Sequence, residues 1–332
     1  MNLNDIVESG LVPSSPALAD VAARYAVAIS PTIADLIARE GDPISRQFLP
    51  TETELVTLPE ERADPIGDRA HSPVEGIVHR HRDRILFKPV SVCPVYCRFC
   101  FRREMLGDAT LSQDAMDRAF AYIAEHQEIW EVILTGGDPL ILSPRRAEDI
   151  TQRLAAIPHV KVVRWHTRVP VVDPPRVTDE FVASIKSKNL TTFVALHANH
   201  AGEFDEAARA AIARLIDAGI PMLSQSVLLS GINDNTDALE SLMRTFIENR
   251  IKPYYLHHPD LAPGTSHFRV SIAHGQNLMR ELRARLSGIA LPTYVLDIPG
   301  GHAKVPLNSE DVIALENGRH RIRDHAGHWH EY

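Results

Sequence analysis

The stretch VCPVYCRFCFRR, residues 92–103, contains all three cysteines of this 332-residue chain. Cys93, Cys97 and Cys100 are spaced C-x3-C-x2-C and come directly after a β-rich run. Soft thiolates at this spacing suit an iron–sulfur cluster or zinc. Structural zinc usually takes four protein ligands, often from a second cysteine pair, and the sequence has no such pair. The stretch therefore favours a [4Fe–4S] cluster in which one iron lacks a protein ligand and stays open to another molecule.

The overall composition argues against several classes of protein. A net charge of −8 gives no basic surface for a nucleic-acid backbone. No apolar run reaches the length of a membrane span, and the start, MNLNDIVESG, lacks the basic and then apolar order of a signal peptide. An odd number of cysteines in one cluster is not a disulfide framework, and thiols stay free in a reducing compartment. We therefore expect a cytoplasmic protein that binds neither nucleic acid nor membrane.

The first 78 residues are expected to form a separate helical and irregular region. Two short helices are predicted where Ser15–Pro16 and Ser30–Pro31 each provide an N-cap followed by proline. Residues 48–73 are rich in proline and acidic residues and show no clear period. This segment is either a strap over the main domain or a disordered linker.

From residue 84 onward, β-rich runs alternate with helical patterns. The six runs are Arg84–Val92, Glu131–Thr135, Val160–His166, Thr191–His197, Pro221–Leu228 and Ile251–Leu256. Six strand–helix units predict an α/β barrel or an open doubly wound sheet. In a barrel, the chemistry lies at the C-terminal ends of the strands, where the cysteines and the turn at residues 136–138 are found.

The cysteine spacing after a first strand resembles the signature of radical S-adenosylmethionine (SAM) enzymes. The resemblance implies a partial (β/α)6 barrel and a cluster whose open iron binds the amino and carboxylate groups of SAM. An electron from the cluster then cleaves the sulfonium and yields a 5′-deoxyadenosyl radical. The residues that the resemblance implies for SAM binding are Phe99, Gly136, Gly137, Asp138 and Gln225. His197 matches a further polar position near the adenosyl group or is an ordinary core histidine.

Several segments narrow the resemblance to the lysine 2,3-aminomutase family. They are CRFCFRR, LTGGDPL, HTRVPVVDPPR, PYYLHHPDLAPGTSHFR and LDIPGGHAKVPL, in family order. The resemblance divides the chain into an N-terminal region at residues 1–78, a radical SAM core at residues 79–307 and a tail at residues 308–332. The four histidines of the tail match no standard spacing of metal ligands.

That family uses pyridoxal 5′-phosphate (PLP) as a second cofactor, and the resemblance assigns its ligands. Lys304, in PGGHAK, matches the lysine that forms the internal aldimine. Arg80 and Arg84 match the arginines that bind the phosphate. His81 and His257 stand where the family has tyrosines near the cofactor, so these two contacts remain open.

The resemblance also assigns residues to the substrate. Arg102 matches the arginine that pairs with the substrate carboxylate, which suits the fork of two parallel donors in a guanidinium. Asp260 and Asp297 match the two aspartates that hold the ε-ammonium in lysine-specific members. A cation taken out of water needs opposite charge close by, whereas two aspartates would repel the distal carboxylate of glutamate. The resemblance therefore favours lysine as the substrate.

The implied function is that of an isomerase that converts L-lysine to β-lysine. A PLP-aldimine radical 1,2-amino shift, started by the deoxyadenosyl radical, moves the amino group from C2 to C3. An electron donor such as flavodoxin or ferredoxin would reduce the cluster, and a homo-oligomer is left open. The alternatives are the short aminomutase branch that makes β-lysine for elongation factor P, an aminomutase for glutamate or another amino acid, a different radical SAM reaction, and a non-enzymatic metal module.

Overall fold

The cysteine stretch follows the second strand of a curled nine-stranded sheet in the computed structural model. The structure describes residues 1–107, 110–307, 312–315, 319–324 and 327–331. The strands of the sheet are β1 (Ile77–His81), β2 (Arg84–Val90), β3 (Glu131–Gly136), β4 (Val162–Thr167), β5 (Thr191–His197), β6 (Met222–Val227), β7 (Ile251–His257), β8 (Thr293–Asp297) and β9 (Lys304–Pro306). They lie side by side in chain order.

The pairing of the strands is parallel from β2 to β8 and antiparallel at both ends, where β1 pairs with β2 and β9 with β8. The predicted six β-rich runs correspond to β2–β7, so the predicted α/β half-barrel is confirmed. The sequence analysis did not predict β1, β8 or β9. All three strands carry residues of the candidate site described below, Arg80 on β1, Asp297 on β8 and Lys304 on β9.

Of the helices in the described residues, the first four precede the sheet, and the other seven lie in the connections between successive strands from β2 to β8. These helices are, in chain order, α1 (Leu3–Glu8), α2 (Pro16–Arg24), α3 (Pro31–Leu36), α4 (Ser45–Phe48), α5 (Gln113–Glu125), α6 (Pro144–Ala155), α7 (Val169–Val172), α8 (Asp179–Ser184), α9 (Glu206–Asp217), α10 (Thr236–Glu248) and α11 (Ile272–Arg285). Helix α9 begins as predicted, because the Asp205 carboxylate accepts a hydrogen bond from the amide of Ala208. None of the described helices is long and apolar enough to cross a bilayer.

Strand β4 shows how the sheet separates the core from the site. Successive side chains of a strand point to opposite faces. Val163 and Trp165 are fully buried, and Trp165 contacts Phe181 of α8 edge-on. Arg164 and His166, which alternate with them, line a cavity on the inner face. The outer face therefore forms the hydrophobic core, and the inner face presents polar groups.

The segment at residues 48–73 packs against the barrel, so the interpretation as a strap is confirmed and the linker alternative is wrong. Glu54 is fully buried and forms ion pairs with Arg98 and Arg103 of the cysteine stretch. Asp68 is also fully buried and pairs with Arg102. Buried carboxylates require such partners, because an unpaired charge is costly away from water. The strap thus fixes the loop that carries the cysteines.

The C-terminal tail contains a small antiparallel sheet of β10 (Val312–Ala314), β11 (His320–Arg323) and β12 (Trp329–Glu331). Residues 308–311, 316–318, 325, 326 and 332 of the tail lie outside the described part of the chain. The Nε2 atom of His330 lies 2.7 Å from Oδ2 of Asp324. This contact is an exposed one.

Candidate active site

A cavity of about 510 Å³ lies on the inner face of the sheet and reaches the carboxyl ends of its parallel strands. Every residue that the sequence analysis assigned to a site lies on its wall. These residues are Arg80, Arg84, Cys93, Cys97, Phe99, Cys100, Arg102, Gly136, Gly137, Asp138, Gln225, Asp260, Asp297 and Lys304. The structure thus brings together positions that are more than 200 residues apart in sequence. A cavity of this size is typical of sites for small molecules and cofactors.

The three cysteines lie in the loop after β2 as free thiols. Burial raises the pKa of Cys93 and raises that of Cys100 to about 11. Without a bound cation these two sulfurs would therefore stay protonated. No three His, Cys, Asp or Glu side chains in the described ranges converge on one metal ion. Each thiolate of a [4Fe–4S] cluster binds a different iron, so its ligands are spread more widely than those of a single ion.

The turn after β3 packs directly onto the cysteine loop. The amide of Gly137 donates to the carbonyl of Val90 at 2.8 Å, and the amide of Asp138 donates to that of Val92 at 2.9 Å. A Cβ atom on Gly137 would lie 2.1 Å from the Val92 carbonyl oxygen, so only glycine fits. The Asp138 carboxylate accepts hydrogen bonds from the hydroxyl of Thr167 and the amide of Arg168. The turn therefore joins the ends of β2, β3 and β4.

Arg168 follows β4 and reaches the cysteine loop. Its Nη1 atom donates to Sγ of Cys97 at 3.0 Å. Its Nη2 atom donates to the Glu203 carboxylate at 2.7 Å and to the amide oxygen of Gln47. The sequence analysis did not single out Arg168, although its place directly after a parallel strand is a signal that could have identified it.

Lys304 and Asp297 face each other where β8 and β9 pair, and their side chains form an ion pair. Gly301 lies in the turn between them with a φ of 80°, which favours glycine. His257 Nδ1 lies 3.3 Å from Nζ of Lys304, and burial lowers the pKa of this histidine. Burial also raises the pKa of Asp260 to about 7, and the nearby charge of Asp297 adds to the effect. Two carboxylates and one amine therefore share this end of the cavity.

Arg102 already has a partner within the protein. Its Nε atom donates to Oδ2 of Asp68 at 2.9 Å, and its Nη1 atom lies 3.3 Å from the hydroxyl of Thr135. Arg80 and Lys88 lie 3.8 Å from the same Asp68 carboxylate. Burial alone would raise the pKa of Asp68, but the positive charge of Arg102 and its neighbours holds it below the ordinary value. Asp68 could not be predicted as part of the site, because nothing in its local sequence indicates this cluster.

The chain is similar in sequence to known enzymes over most of its length. A model of the Radical SAM superfamily matches residues 87–243. The chain is 38% identical over 288 residues to L-lysine 2,3-aminomutase of Acetoanaerobium sticklandii, which covers 86% of this chain and 69% of that protein. It is 37% identical over 275 residues to glutamate 2,3-aminomutase of Clostridioides difficile, with 82% and 65% covered. Superposition on a radical SAM methyltransferase from Sphaerobacter thermophilus gives a TM-score of 0.46 at 20% identity, with 66% of this chain and 68% of that chain covered.

The half-barrel and the cysteine loop at its mouth, together with the family match, define the class of a radical SAM enzyme. Within that class, the chain belongs to the lysine 2,3-aminomutase family. Membership implies a [4Fe–4S] cluster and SAM as cofactors. It also makes the protein an isomerase of the aminomutase type.

The residues of the cavity fit the groups that this family implies. Three free thiols on one loop offer the donor set of a cluster with one open iron. On the wall of the same cavity, His166 and His197 are held neutral because burial keeps their pKa values well below the ordinary range. In the described part of the chain, the buried Nε2 atoms of both histidines have no hydrogen-bond partner. Such atoms on a cavity wall are suited to a bound polar ligand.

Proposed function

We propose that this enzyme converts L-lysine to β-lysine and that its cavity holds PLP as well as the cluster and SAM. Cys93, Cys97 and Cys100 would bind the cluster. Phe99 and the turn at residues 136–138, with Gln225 from β6, would contact SAM. Lys304 would hold PLP, with Arg80 and Arg84 at its phosphate. Arg102 would bind the substrate carboxylate, and Asp260 and Asp297 its distal ammonium.

The observation that carries the choice of substrate is the carboxylate pair beside Lys304. Asp297 already forms an ion pair with an alkylammonium group, that of Lys304. Burial alone would raise the pKa of Asp297, but His257 and Lys304 outweigh this effect and lower it. Asp260 has a raised pKa because it is buried and faces another carboxylate. A second cation placed between the two aspartates would relieve this repulsion. The ammonium of lysine meets that requirement, and the carboxylate of glutamate does not.

The donors for PLP are also of the right kind. The Lys304 amine is only about a quarter exposed and lies 5.4 Å from the ring centroid of Tyr255. Arg80 is mostly buried, while Arg84 is about one-third exposed and also pairs with Asp83. Two guanidinium groups on one wall suit a phosphate, because each presents several donors in a fixed fork.

The chain's own residues would perform three tasks in the reaction. When bound, the cluster and SAM supply a carbon radical, and PLP supplies a conjugated ring for the migrating nitrogen. Arg102 and the two aspartates hold the substrate at both ends, which fixes the carbon from which hydrogen is removed. His257 can accept a hydrogen bond at Nδ1 from Nζ of Lys304, 3.3 Å away, and so orients the amine that would hold PLP. The half-enclosed cavity keeps water away from the radical.

Two measurements test the proposal. The protein loaded with PLP should show a cofactor absorbance, and borohydride should attach the cofactor covalently to Lys304. The variant Lys304→Ala should show neither result. The control Lys252→Ala, changed outside the cavity, should show both. Anaerobic incubation with a reductant, SAM and lysine should give β-lysine by NMR. If a parallel incubation with glutamate gave β-glutamate and lysine gave no product, as the name of the Clostridioides difficile relative suggests, glutamate would replace lysine in the proposal. No cofactor binding at Lys304 would overturn the role of PLP.

A further inference from the structure

Arg168 is held in one position by hydrogen bonds at both terminal nitrogens of its guanidinium and by two aromatic rings beside it. Glu203, fully buried, binds Nη2 at 2.7 Å, and the side-chain oxygen of Gln47 binds the same nitrogen. The guanidinium carbon lies 4.5 Å from the ring centroid of Phe48 and 5.5 Å from that of Phe99. Arg168 itself is only 5% exposed. The remaining arm, Nη1, donates to the sulfur of Cys97.

Glu203 is itself fixed by the backbone and by Gln47. Its Oε1 atom accepts from the amides of Asn199 and His200 at 2.8 and 2.9 Å, and from Nε2 of Gln47 at 3.2 Å. The carboxylate therefore has no freedom to leave Arg168. A buried charge pair of this kind is costly to assemble, and a stabilising role alone would be met as well by apolar side chains. Its contact with a cluster ligand suggests a task beyond packing.

We propose that Arg168 is a positioning residue that raises the reduction potential of the cluster through its hydrogen bond to Cys97 Sγ, and that Glu203 limits this effect. The inference rests on the proposed role of Cys97 as a cluster ligand. One-electron reduction adds a negative charge to the cluster, and the electron comes from an external donor such as a reduced flavin or iron–sulfur protein. A fixed positive charge at a ligand sulfur stabilises the reduced form more than the oxidised form. Hydrogen bonds to the sulfurs are one of the determinants of cluster potential.

The two members of the ion pair give opposite predictions. Removing the positive charge by Arg168→Met should make the potential more negative, and Arg168→Lys should shift it in the same direction by less. Glu203→Gln removes a negative charge close to the same sulfur and should make the potential more positive. General damage to the loop would move both kinds of variant in the same direction. The opposite signs therefore separate electrostatic tuning from loss of structure.

The test is an anaerobic potentiometric titration of each reconstituted protein, followed by the electron paramagnetic resonance signal of the reduced cluster. Arg168→Met should lower the equilibrium constant for one-electron reduction about tenfold, or about 59 mV. Arg153→Met, which makes the same chemical change at an ion pair with Asp117 outside the cavity, serves as the matched control. Its potential should equal that of the unchanged protein.

Each outcome decides between the alternatives. Shifts of opposite sign in Arg168→Met and Glu203→Gln support the proposal. Potentials equal to that of the unchanged protein, or shifts of the same sign in both variants, overturn it. Loss of iron from Arg168→Lys also overturns it, because that result would assign Arg168 to cluster assembly. If the unchanged protein itself binds no [4Fe–4S] cluster by iron and sulfide analysis, the assignment of the cysteines fails, and that failure is seen before any variant is compared.

Discussion

The substitution Asp297→Asn should change both the efficiency of the enzyme with lysine and its pH dependence. In the proposed complex, Asp297 and Asp260 together hold the distal ammonium of the substrate. A hydrogen bond to a charged group contributes about 1.5–3 kcal/mol. Losing one should therefore lower kcat/KM for lysine roughly 10- to 150-fold, since 1.4 kcal/mol is a factor of about ten.

The pH dependence follows from the raised pKa of Asp260, which lies at about 7 because of burial and the charge of Asp297. Below this pH Asp260 is protonated and binds an ammonium weakly, and above it the carboxylate is charged. The value of kcat/KM should therefore rise with pH through about 7 or slightly above, because Lys304 no longer contributes its positive charge when it holds PLP. In Asp297→Asn the repelling carboxylate is gone, so the rise should move to lower pH.

The assay is the initial rate of β-lysine formation in anaerobic turnover, measured at several lysine concentrations from pH 6 to 9. Asp217→Asn is the matched control, because it makes the same chemical change at an exposed ion pair with Arg250. It should leave both the efficiency and the pH profile as they are. A rise at the same pH in Asp297→Asn and in the unchanged enzyme would refute the coupling between the two aspartates. An unchanged kcat/KM would refute the role of Asp297 in binding the ammonium.

Three further substitutions test other contacts. Asp68→Asn removes the charge that orients Arg102, so the KM for lysine should rise about fivefold, the effect of about 1 kcal/mol, while the spectrum of the cluster stays the same. Gly137→Ala should lower the melting temperature through a clash with backbone worth about 1–3 kcal/mol, whereas Gly288→Ala, which has open space, should not. Glu54→Gln should cost about 3–5 kcal/mol in urea unfolding because it leaves buried arginines unpaired. Those arginines lower the pKa of Glu54 against the effect of burial. The stabilising contribution of Glu54 is therefore present above the ordinary carboxyl pKa and is lost as the pH falls. Equal stability of the variant and the unchanged protein would contradict this prediction.

The strands of the half-barrel could be predicted because each is a run of β-branched and apolar residues bounded by clear breaks. The antiparallel pair of β8 and β9 could not, since β9 has only three residues and its partner is fixed by the turn at Gly300 and Gly301. The placement of Lys304 beside Asp297 depends on that turn. The packing of the strap could not be predicted either, because its buried acidic side chains pair with arginines of the cysteine stretch, which is distant in sequence.

The candidate site was predicted from residue types and from the family resemblance. Both indicate which residues lie in the site, but neither indicates which side chains pair with each other. Arg102 was expected to be available to a substrate carboxylate, but the structure pairs it with Asp68. Lys304 was expected near the cofactor, and the structure also places it against Asp297, which was assigned to the substrate. These contacts join residues far apart in sequence or across a turn, where local patterns carry no information about side-chain partners.

The most direct test of the account is a competition between two amino acids in one reaction. The enzyme loaded with cluster and PLP is incubated anaerobically with a reductant, SAM and equal concentrations of L-lysine and L-glutamate, and the products are quantified by NMR. We expect β-lysine and no β-glutamate, because the carboxylates of Asp260 and Asp297 attract a distal ammonium and repel a distal carboxylate. Formation of β-glutamate in comparable or greater amount would contradict the assignment of these two aspartates to the substrate.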